Sequence, residues 1–117
     1  MKYFNINEFD SPDAIGSGEN MNKDFLSRLD QARSLCDIPF KITSGYRTEA
    51  HNRKVNGVSG SSHIKGYAAD IHCNNSVSRF IIINALIKAG FNRIGVADSF
   101  IHVDNDPDKV TGVIWTY

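Results

Sequence analysis

The stretch SGSSHIKGYAADIHC, residues 59–73, combines side chains that neither a buried segment nor a plain solvent loop explains. It carries two histidines, one aspartate, three serines and two glycines within fifteen positions. Polar groups that are buried without partners cost free energy. A segment with this many polar side chains therefore does not suit a hydrophobic core. The run AADI does not suit a solvent loop either. His63 and Asp70 lie seven residues apart on either side of Gly66, which suggests that they share a role.

The second half of this stretch, residues 66–73, is predicted to be a β-strand that follows a serine-rich loop. Side chains alternate between the two faces of a strand, so Ala68, Asp70 and His72 are expected on one face. Downstream, residues 99–104 (SFIHVD) also alternate, with His102 and Asp104 on the same side. Packing alone explains such polar strand faces poorly, because burying an unpaired aspartate costs several kcal/mol.

Length and charge limit the kinds of protein that the chain can be. Its 117 residues suffice for one domain with one hydrophobic core, so residues 1–117 are interpreted as a single domain. Thirteen basic residues balance thirteen acidic ones and form no basic run, so no nucleic-acid-binding surface is predicted. No apolar run approaches the roughly 20 residues of a membrane span. We expect a monomer that neither binds nucleic acid nor crosses a membrane.

Two cysteines, Cys36 and Cys73, match no metal or redox spacing. They are interpreted as small core residues of a protein made in a reducing compartment, although the sequence leaves a disulfide open. The N-terminal stretch MKYFNINEFDSP lacks the apolar segment of a signal peptide, which predicts synthesis in a cytoplasm.

Apolar periodicity, capping residues and alternation together predict an α+β domain with a largely antiparallel sheet and helices packed on it. Asn22, Thr48 and a serine at the start of the third helix are the expected helix caps. Residues 9–20 are interpreted as an ordered surface loop. The predicted helices are 20–37, 48–57 and 76–90, and the predicted strands are 40–43, 66–73, 91–97, 99–104 and 112–117.

The central stretch also matches the pattern S-x-H-x-x-G-x-A-x-D. It resembles the signature of the zinc D-Ala-D-Ala carboxypeptidases and L-Ala-D-Glu endopeptidases, a group that shares its fold with the hedgehog signalling domain. The pattern is filled by Ser61, His63, Gly66, Ala68 and Asp70.

Two further blocks strengthen this resemblance. TSGYRTEAHN, which contains Arg47, resembles the second block of the group, and FIHVD, which contains His102, resembles the third. The three blocks occur in the order of the family and, together with the helix before the first strand, cover about residues 20–105. The chain as a whole also resembles short peptidase-like proteins carried by bacteriophages. Such a protein would be made in the host cytoplasm.

The resemblance implies one zinc ion per chain, held by His63, Asp70 and His102. Zinc lowers the pKa of its bound water to about 7, which makes a hydroxide available to attack a peptide carbonyl. Arg47 is expected to bind the oxyanion or a substrate carboxylate through its planar fork, or else to form only a surface salt bridge. Ser61 is the candidate for a hydrogen bond to substrate, with a structural role in the loop as the alternative.

The general base is the least constrained part of the resemblance. Relatives carry a titratable residue three to five positions before the last histidine ligand, a window that here contains Ala97, Asp98 and Ser99. Asp98 is the only titratable group among them and is the candidate base. The alternative is a β-turn aspartate, a common use of that residue.

The leading hypothesis is therefore a zinc-dependent peptidase that hydrolyses the stem peptide or cross-link of bacterial peptidoglycan and acts at the cell wall. The alternative is a non-catalytic, zinc-stabilised binding module of the same fold. A metal-free interaction domain would require the three ordered blocks to be a coincidence.

Overall fold

The structure of the protein, a computed structural model, describes residues 1–117. Three α-helices and five β-strands form the domain, preceded by two short 3₁₀ helices at Ile6–Phe9 and Ser17–Asn20. In chain order the elements are α1 (Lys23–Ser34), β1 (Ile42–Ser44), α2 (Glu49–Lys54), β2 (Ala68–His72), α3 (Ser76–Lys88), β3 (Arg93–Val96), β4 (Phe100–Asp104) and β5 (Val113–Thr116).

The helices begin where side-chain caps satisfy their first backbone N–H groups. Asn22 accepts a hydrogen bond from Phe25 N at the start of α1, as predicted. Thr48 likewise caps α2. The third cap differs from the expectation, because Asn75 rather than a serine accepts the N–H of Ser78 at 2.8 Å. Asparagine and serine are equally good caps, so the sequence alone does not choose between adjacent ones.

The five strands form one sheet in the order β1-β2-β4-β3-β5. Every neighbouring pair is antiparallel except β3 and β5, which run parallel. The predicted α+β class with a largely antiparallel sheet is therefore confirmed. The parallel pairing was not predicted, and it follows from residues 105–112, which cross over from the end of β4 to the start of β5.

The two longer helices, α1 and α3, pack on one face of this sheet, as predicted for this fold class. The apolar stripe of α1 and the inner side of α3 meet alternate strand residues there, and burying a leucine or isoleucine in such a core is worth about 1.5–3 kcal/mol. The core of this layer contains Phe25, Leu29, Ile82 and Leu86 from the helices and Ala69, Ile71, Ile94, Ile101 and Val103 from the strands. The opposite face of the sheet remains available for a functional site.

Residues 9–20 are more than the surface loop that was expected. Phe9 is fully buried, and the carboxylate of Asp10 accepts the backbone N–H groups of Gly16 and Gly18. A buried backbone needs such partners, and here one side chain supplies two of them. The segment therefore covers one end of the core.

Two further expectations concern the environment of the protein. Cys36 and Cys73 are both free, the first partly and the second fully buried, in line with their interpretation as core residues. None of the helices is long and apolar enough to cross a membrane.

On the face away from α1 and α3, one row of residues runs across the whole sheet. The strand registers align, in order, Ser44, Asp70, His102, Gly95 and Trp115. Gly95 leaves room for the indole of Trp115, since a Cβ there would lie 2.7 Å from two of its ring atoms. The Trp115 ring can consequently lie beside His102, with ring centroids 5.5 Å apart.

Gly95→Ala should displace this ring. Overpacking a close contact costs about 1–3 kcal/mol, so we expect a lower melting temperature and a changed emission spectrum from Trp115, the single tryptophan. Fluorescence-monitored thermal unfolding measures both. Thr116→Ala, at the exposed neighbouring position, is the control, and unchanged fluorescence in Gly95→Ala would contradict the packing role.

Candidate metal centre

Strand register brings two of the predicted metal ligands together. Asp70 on β2 and His102 on β4 are directly paired across antiparallel strands, on the face away from α1 and α3. The Nδ1 atom of His102 lies 3.0 Å from Oδ1 of Asp70. Paired side chains on one face of a sheet have Cβ atoms about 5 Å apart, so this contact follows from the register itself.

His63 reaches the same carboxylate from the loop before β2. Its Nε2 atom lies 3.3 Å from Asp70 Oδ1. The loop turns at Gly66, which has a φ of 81° and approaches the carbonyl oxygen of Asn20 so closely that a Cβ would lie 2.4 Å from it. Glycine is needed at such a position, and this turn is why His63 and Asp70 can converge across it.

Hydrogen bonds to outer acceptors determine which nitrogen of each histidine faces the centre. His63 Nδ1 lies 2.8 Å from the carbonyl oxygen of Gly45, and His102 Nε2 lies 2.7 Å from Oδ2 of Asp104. Both acceptors lack a proton, so both ring nitrogens must donate. The remaining nitrogens, Nε2 of His63 and Nδ1 of His102, face Asp70, where each can donate to the carboxylate when protonated or offer a lone pair to a metal ion when not.

The three side chains suit a zinc ion. Ligand atoms of tetrahedral zinc lie roughly 3.3 Å apart, given zinc–ligand bonds of about 2.0–2.1 Å. In the structure one ligand atom from each of the three residues lies within 4.8 Å of the others. All three are buried, and a buried set of two imidazoles and a carboxylate is typical of catalytic zinc with one position left for water.

A cleft of about 380 Å³ opens above this group, and Arg47 and Ser61 line it. Arg47 donates to Ser44 Oγ and Asn52 Oδ1, and its third contact is Asp70 Oδ2 at 3.5 Å. A guanidinium has five N–H donors, so two remain for a ligand. Ser61 Oγ accepts the N–H of His63, which gives this serine a structural contact in the loop.

A comparison with protein-family models matches residues 3–104 to the model described as Peptidase M15. The chain belongs to the peptidase M15 family. The matched range contains His63, Asp70 and His102 together with Arg47, so the resemblance noted from three sequence blocks is confirmed. No curated protein sequence matches the chain.

Asp104 supports His102 in this M15 domain and is itself held by a buried arginine. Its Oδ1 atom accepts a hydrogen bond from Arg93 Nε at 2.7 Å and a second from the N–H of Asp106 at 3.2 Å. Arg93 in turn stacks over Trp115 and donates to the carbonyl oxygen of Val110. A fixed carboxylate behind a ligand histidine orients the ring and raises its basicity.

Burial and hydrogen bonding oppose each other at these ionisable groups. Burial alone would raise the pKa of Asp70, but hydrogen bonds from His102 and His63 outweigh it and hold that pKa well below its usual range. Burial likewise would lower the pKa of His102, yet its bonds to Asp104 and Asp70 raise it. The pKa of Asp104 is lowered because the bonds from His102 and Arg93 outweigh burial.

One wall of the cleft is aromatic, and the sequence patterns did not indicate a function for these aromatic residues. Phe100 and Tyr117 pack with ring centroids 5.2 Å apart, next to Trp115. Alternation along residues 113–117 does predict that Trp115 and Tyr117 share a face. Which face that is depends on the parallel pairing of β5 with β3.

The structure does not bring Asp98 to the metal-binding group. Asp98 is exposed in the turn between β3 and β4 and does not line the cleft, and its carbonyl oxygen lies 3.5 Å from Arg79 Nη2. The other two histidines are also separate, since His72 is exposed at the end of β2 and His51 lies outside the cleft on α2.

Asp104→Asn should weaken zinc binding. Loss of an outer carboxylate typically costs about ten- to a hundredfold in metal affinity, because the ligand histidine loses its fixed orientation. Competition with a chromogenic chelator measures the change. Asp106→Asn is the matched control, as it removes another buried aspartate that makes no contact with His102. Equal losses in both variants would contradict a specific role for Asp104.

Acidity should affect the metal-free fold and zinc binding in opposite directions. Because the pKa of His102 is raised in the folded protein, the protonated ring stabilises the metal-free fold. This contribution is complete below about pH 6.5 and is lost as the pH rises through the folded-state pKa. Zinc needs the neutral ring, so its affinity should rise over the same window.

Melting curves of the metal-free protein and chelator competition between pH 6 and 8 test this opposition. His102→Asn should remove most of the pH dependence of the metal-free melting temperature, whereas His72→Asn, at an exposed position, should retain it. A metal-free protein that gained stability across this window would contradict the assignment.

Proposed function

We propose that this chain is a zinc-dependent peptidase that hydrolyses peptide bonds of bacterial peptidoglycan and acts at the cell wall as a monomer. The observation that carries the proposal is the buried group of His63, Asp70 and His102 beneath an open cleft, in a chain of the peptidase M15 family. Members of this family are zinc-dependent, and the donor atoms present suit that ion.

A zinc ion held by these three residues would polarise a substrate carbonyl and acidify a bound water. The chain's own side chains supply orientation. Asp104 and the Gly45 carbonyl fix the two histidine rings, and Arg47 keeps two N–H donors beside Asp70 for a carbonyl oxygen or a carboxylate. Donors that are already in position stabilise developing negative charge without reorganisation.

Digestion of purified peptidoglycan by the zinc-loaded protein, followed by mass spectrometry, tests the proposal. Release of a terminal D-alanine would identify a carboxypeptidase, and new internal ends would identify an endopeptidase. His63→Ala with His102→Ala is the control that should abolish both zinc binding and cleavage. Absence of new products from wild-type protein that holds one zinc per chain would contradict the peptidase function.

One observation favours the alternative of a non-catalytic, zinc-stabilised binding module. The only carboxylates that line the cleft are Asp70 and Asp104, and both are already engaged by histidines. No free carboxylate there can accept a proton from water. Binding of peptidoglycan fragments by the zinc-loaded protein without any cleavage would support this alternative.

Arg47→Lys should lose most activity while it keeps zinc. Lysine retains the charge but cannot reproduce the three directed contacts of the guanidinium, so the position of the remaining donors is lost. We expect at least about a tenfold fall in kcat/KM, in the range of a lost charged hydrogen bond. Arg53→Lys on α2, outside the cleft, is the control, and a fully active Arg47→Lys would overturn the directed role.

Asp98→Asn separates the two interpretations of Asp98. If Asp98 were the general base, turnover would fall by about a hundredfold or more while zinc content stayed unchanged. Asparagine is also a good turn residue, so the fold should tolerate it. Because the side chain is exposed outside the cleft, we expect activity close to wild type. A hundredfold loss would restore Asp98 as the base.

A further inference from the structure

The two long helices that cover the sheet differ in what they present to solvent. On α1 every exposed position is polar, as at Lys23, Asp24 and Arg28. A helix at a protein surface normally turns such residues outward and its apolar residues inward. On α3, by contrast, large apolar residues lie on the outer side as well as on the inner side. The outer side of α3 therefore has the composition of a surface that binds a partner.

Four exposed apolar side chains form one patch on this outer side, the α3 patch. They are Val77, Phe80 and Ile87 of α3, exposed by 72, 73 and 50 %, and Leu35 at the end of α1, exposed by 50 %. The three positions on α3 are separated by three and seven residues, a spacing that places them along one stripe of a helix. Leu35 and Phe80 line the same shallow groove, so the patch continues from one helix to the other.

Basic residues flank the α3 patch. Arg79 and Lys88 are the charged residues of α3, and no acidic residue occurs between Asp70 and Asp98. Arg79 extends toward the turn before β4, whereas Lys88 lines the groove with Asp37, so the two cations lie on opposite sides of the patch. Both oxygens that Arg79 contacts belong to neutral groups, a hydroxyl and a backbone carbonyl, so neither contact neutralises its charge.

This charge pattern favours an anionic membrane surface over a second copy of the chain. Two-fold pairing of α3 patches would bring both copies of Arg79 and Lys88 to one interface, without a carboxylate on α3 to offset them. Like charges across an interface cost free energy and suppress pairing. Anionic lipid headgroups instead attract such cations, and the acyl region beneath them accepts apolar side chains such as Phe80. With 13 residues, α3 is too short to span a bilayer and can lie only at its surface.

We propose that the α3 patch binds the surface of a membrane that contains anionic lipids, with Phe80 inserted among the lipids and Arg79 and Lys88 against the headgroups. This inference goes beyond the proposed peptidase function and does not depend on it. Because α3 packs on the sheet face opposite the metal-binding group, the cleft faces away from the bound membrane and remains open to substrate.

Co-sedimentation with vesicles measures this binding. The zinc-loaded protein is mixed with vesicles of phosphatidylcholine alone, or of phosphatidylcholine and phosphatidylglycerol in equal parts. Each basic residue near an anionic surface contributes about fivefold in affinity. Wild type should therefore bind the anionic vesicles at least about tenfold more tightly than the neutral ones, and a high salt concentration should reduce this preference.

Substitutions in the α3 patch test the apolar contribution. Phe80→Ser should weaken binding to anionic vesicles by about tenfold or more, and Val77→Ser by about three- to tenfold, because each removes apolar area that the membrane buries. Val110→Ser is the matched control, since Val110 is exposed by 71 % in the crossover between β4 and β5. It should leave binding unchanged. All three side chains are exposed, so the substitutions leave the hydrophobic core intact.

A pair of double variants tests the contribution of charge. Arg79→Gln with Lys88→Gln should remove most of the preference for anionic vesicles. Arg53→Gln with Lys54→Gln, at two exposed positions of α2, is the control and should retain the preference. Equal losses in the two double variants would show that net charge rather than the flanks of the α3 patch determines binding, and would contradict the proposal.

Three further outcomes would overturn the membrane-binding patch. They are a wild-type protein that binds neither vesicle or binds both equally, equal losses in Val77→Ser and Val110→Ser, and a wild-type dimer that Phe80→Ser converts to a monomer in analytical ultracentrifugation. The last outcome would assign the α3 patch to a second copy of the chain. Vesicle binding without cleavage of peptidoglycan would contradict the peptidase function alone, whereas cleavage without vesicle binding would contradict the membrane-binding patch alone.

Discussion

The pairing of Asp70 with His102 across β2 and β4 is the constraint on which the site depends. Side chains alternate along a strand, so a shift of one residue in this register would turn Asp70 toward α1 and α3. The apolar partners on that face, Ile71 with Ile101 and Ala69 with Val103, resist such a shift. The hydrophobic core therefore fixes the geometry of a polar site that it does not touch.

The same pairing buries a carboxylate, and the surrounding residues offset the cost. Asp70 is surrounded by His63, His102 and Arg47, and each histidine is held from behind by an acceptor. A buried charge without such partners would destabilise the fold by several kcal/mol. Because the three candidate ligands come from a loop and two strands, a bound metal ion would also stabilise the fold, since the unfolded chain has no comparable site.

The cleft above the site combines two kinds of surface. One wall is aromatic, formed by Phe100, Trp115 and Tyr117, while Lys109 and Arg47 provide positive charge. Trp115, Tyr117 and Lys109 come from the segment after β4, beyond the residues 3–104 that the family match covers, whereas Phe100 lies on β4 within that range.

The sequence by itself determined the elements, the fold class and the three candidate ligands, because periodicity, caps and a short motif are local properties. It also indicated which strand residues share a face with Asp70 and His102. Only the tertiary structure decided that β5 runs parallel to β3, that Asp98 lies outside the cleft, and that Asp104 and Lys109 reach the site. These outcomes depend on strand order and on contacts between residues far apart in the chain, which no local pattern encodes.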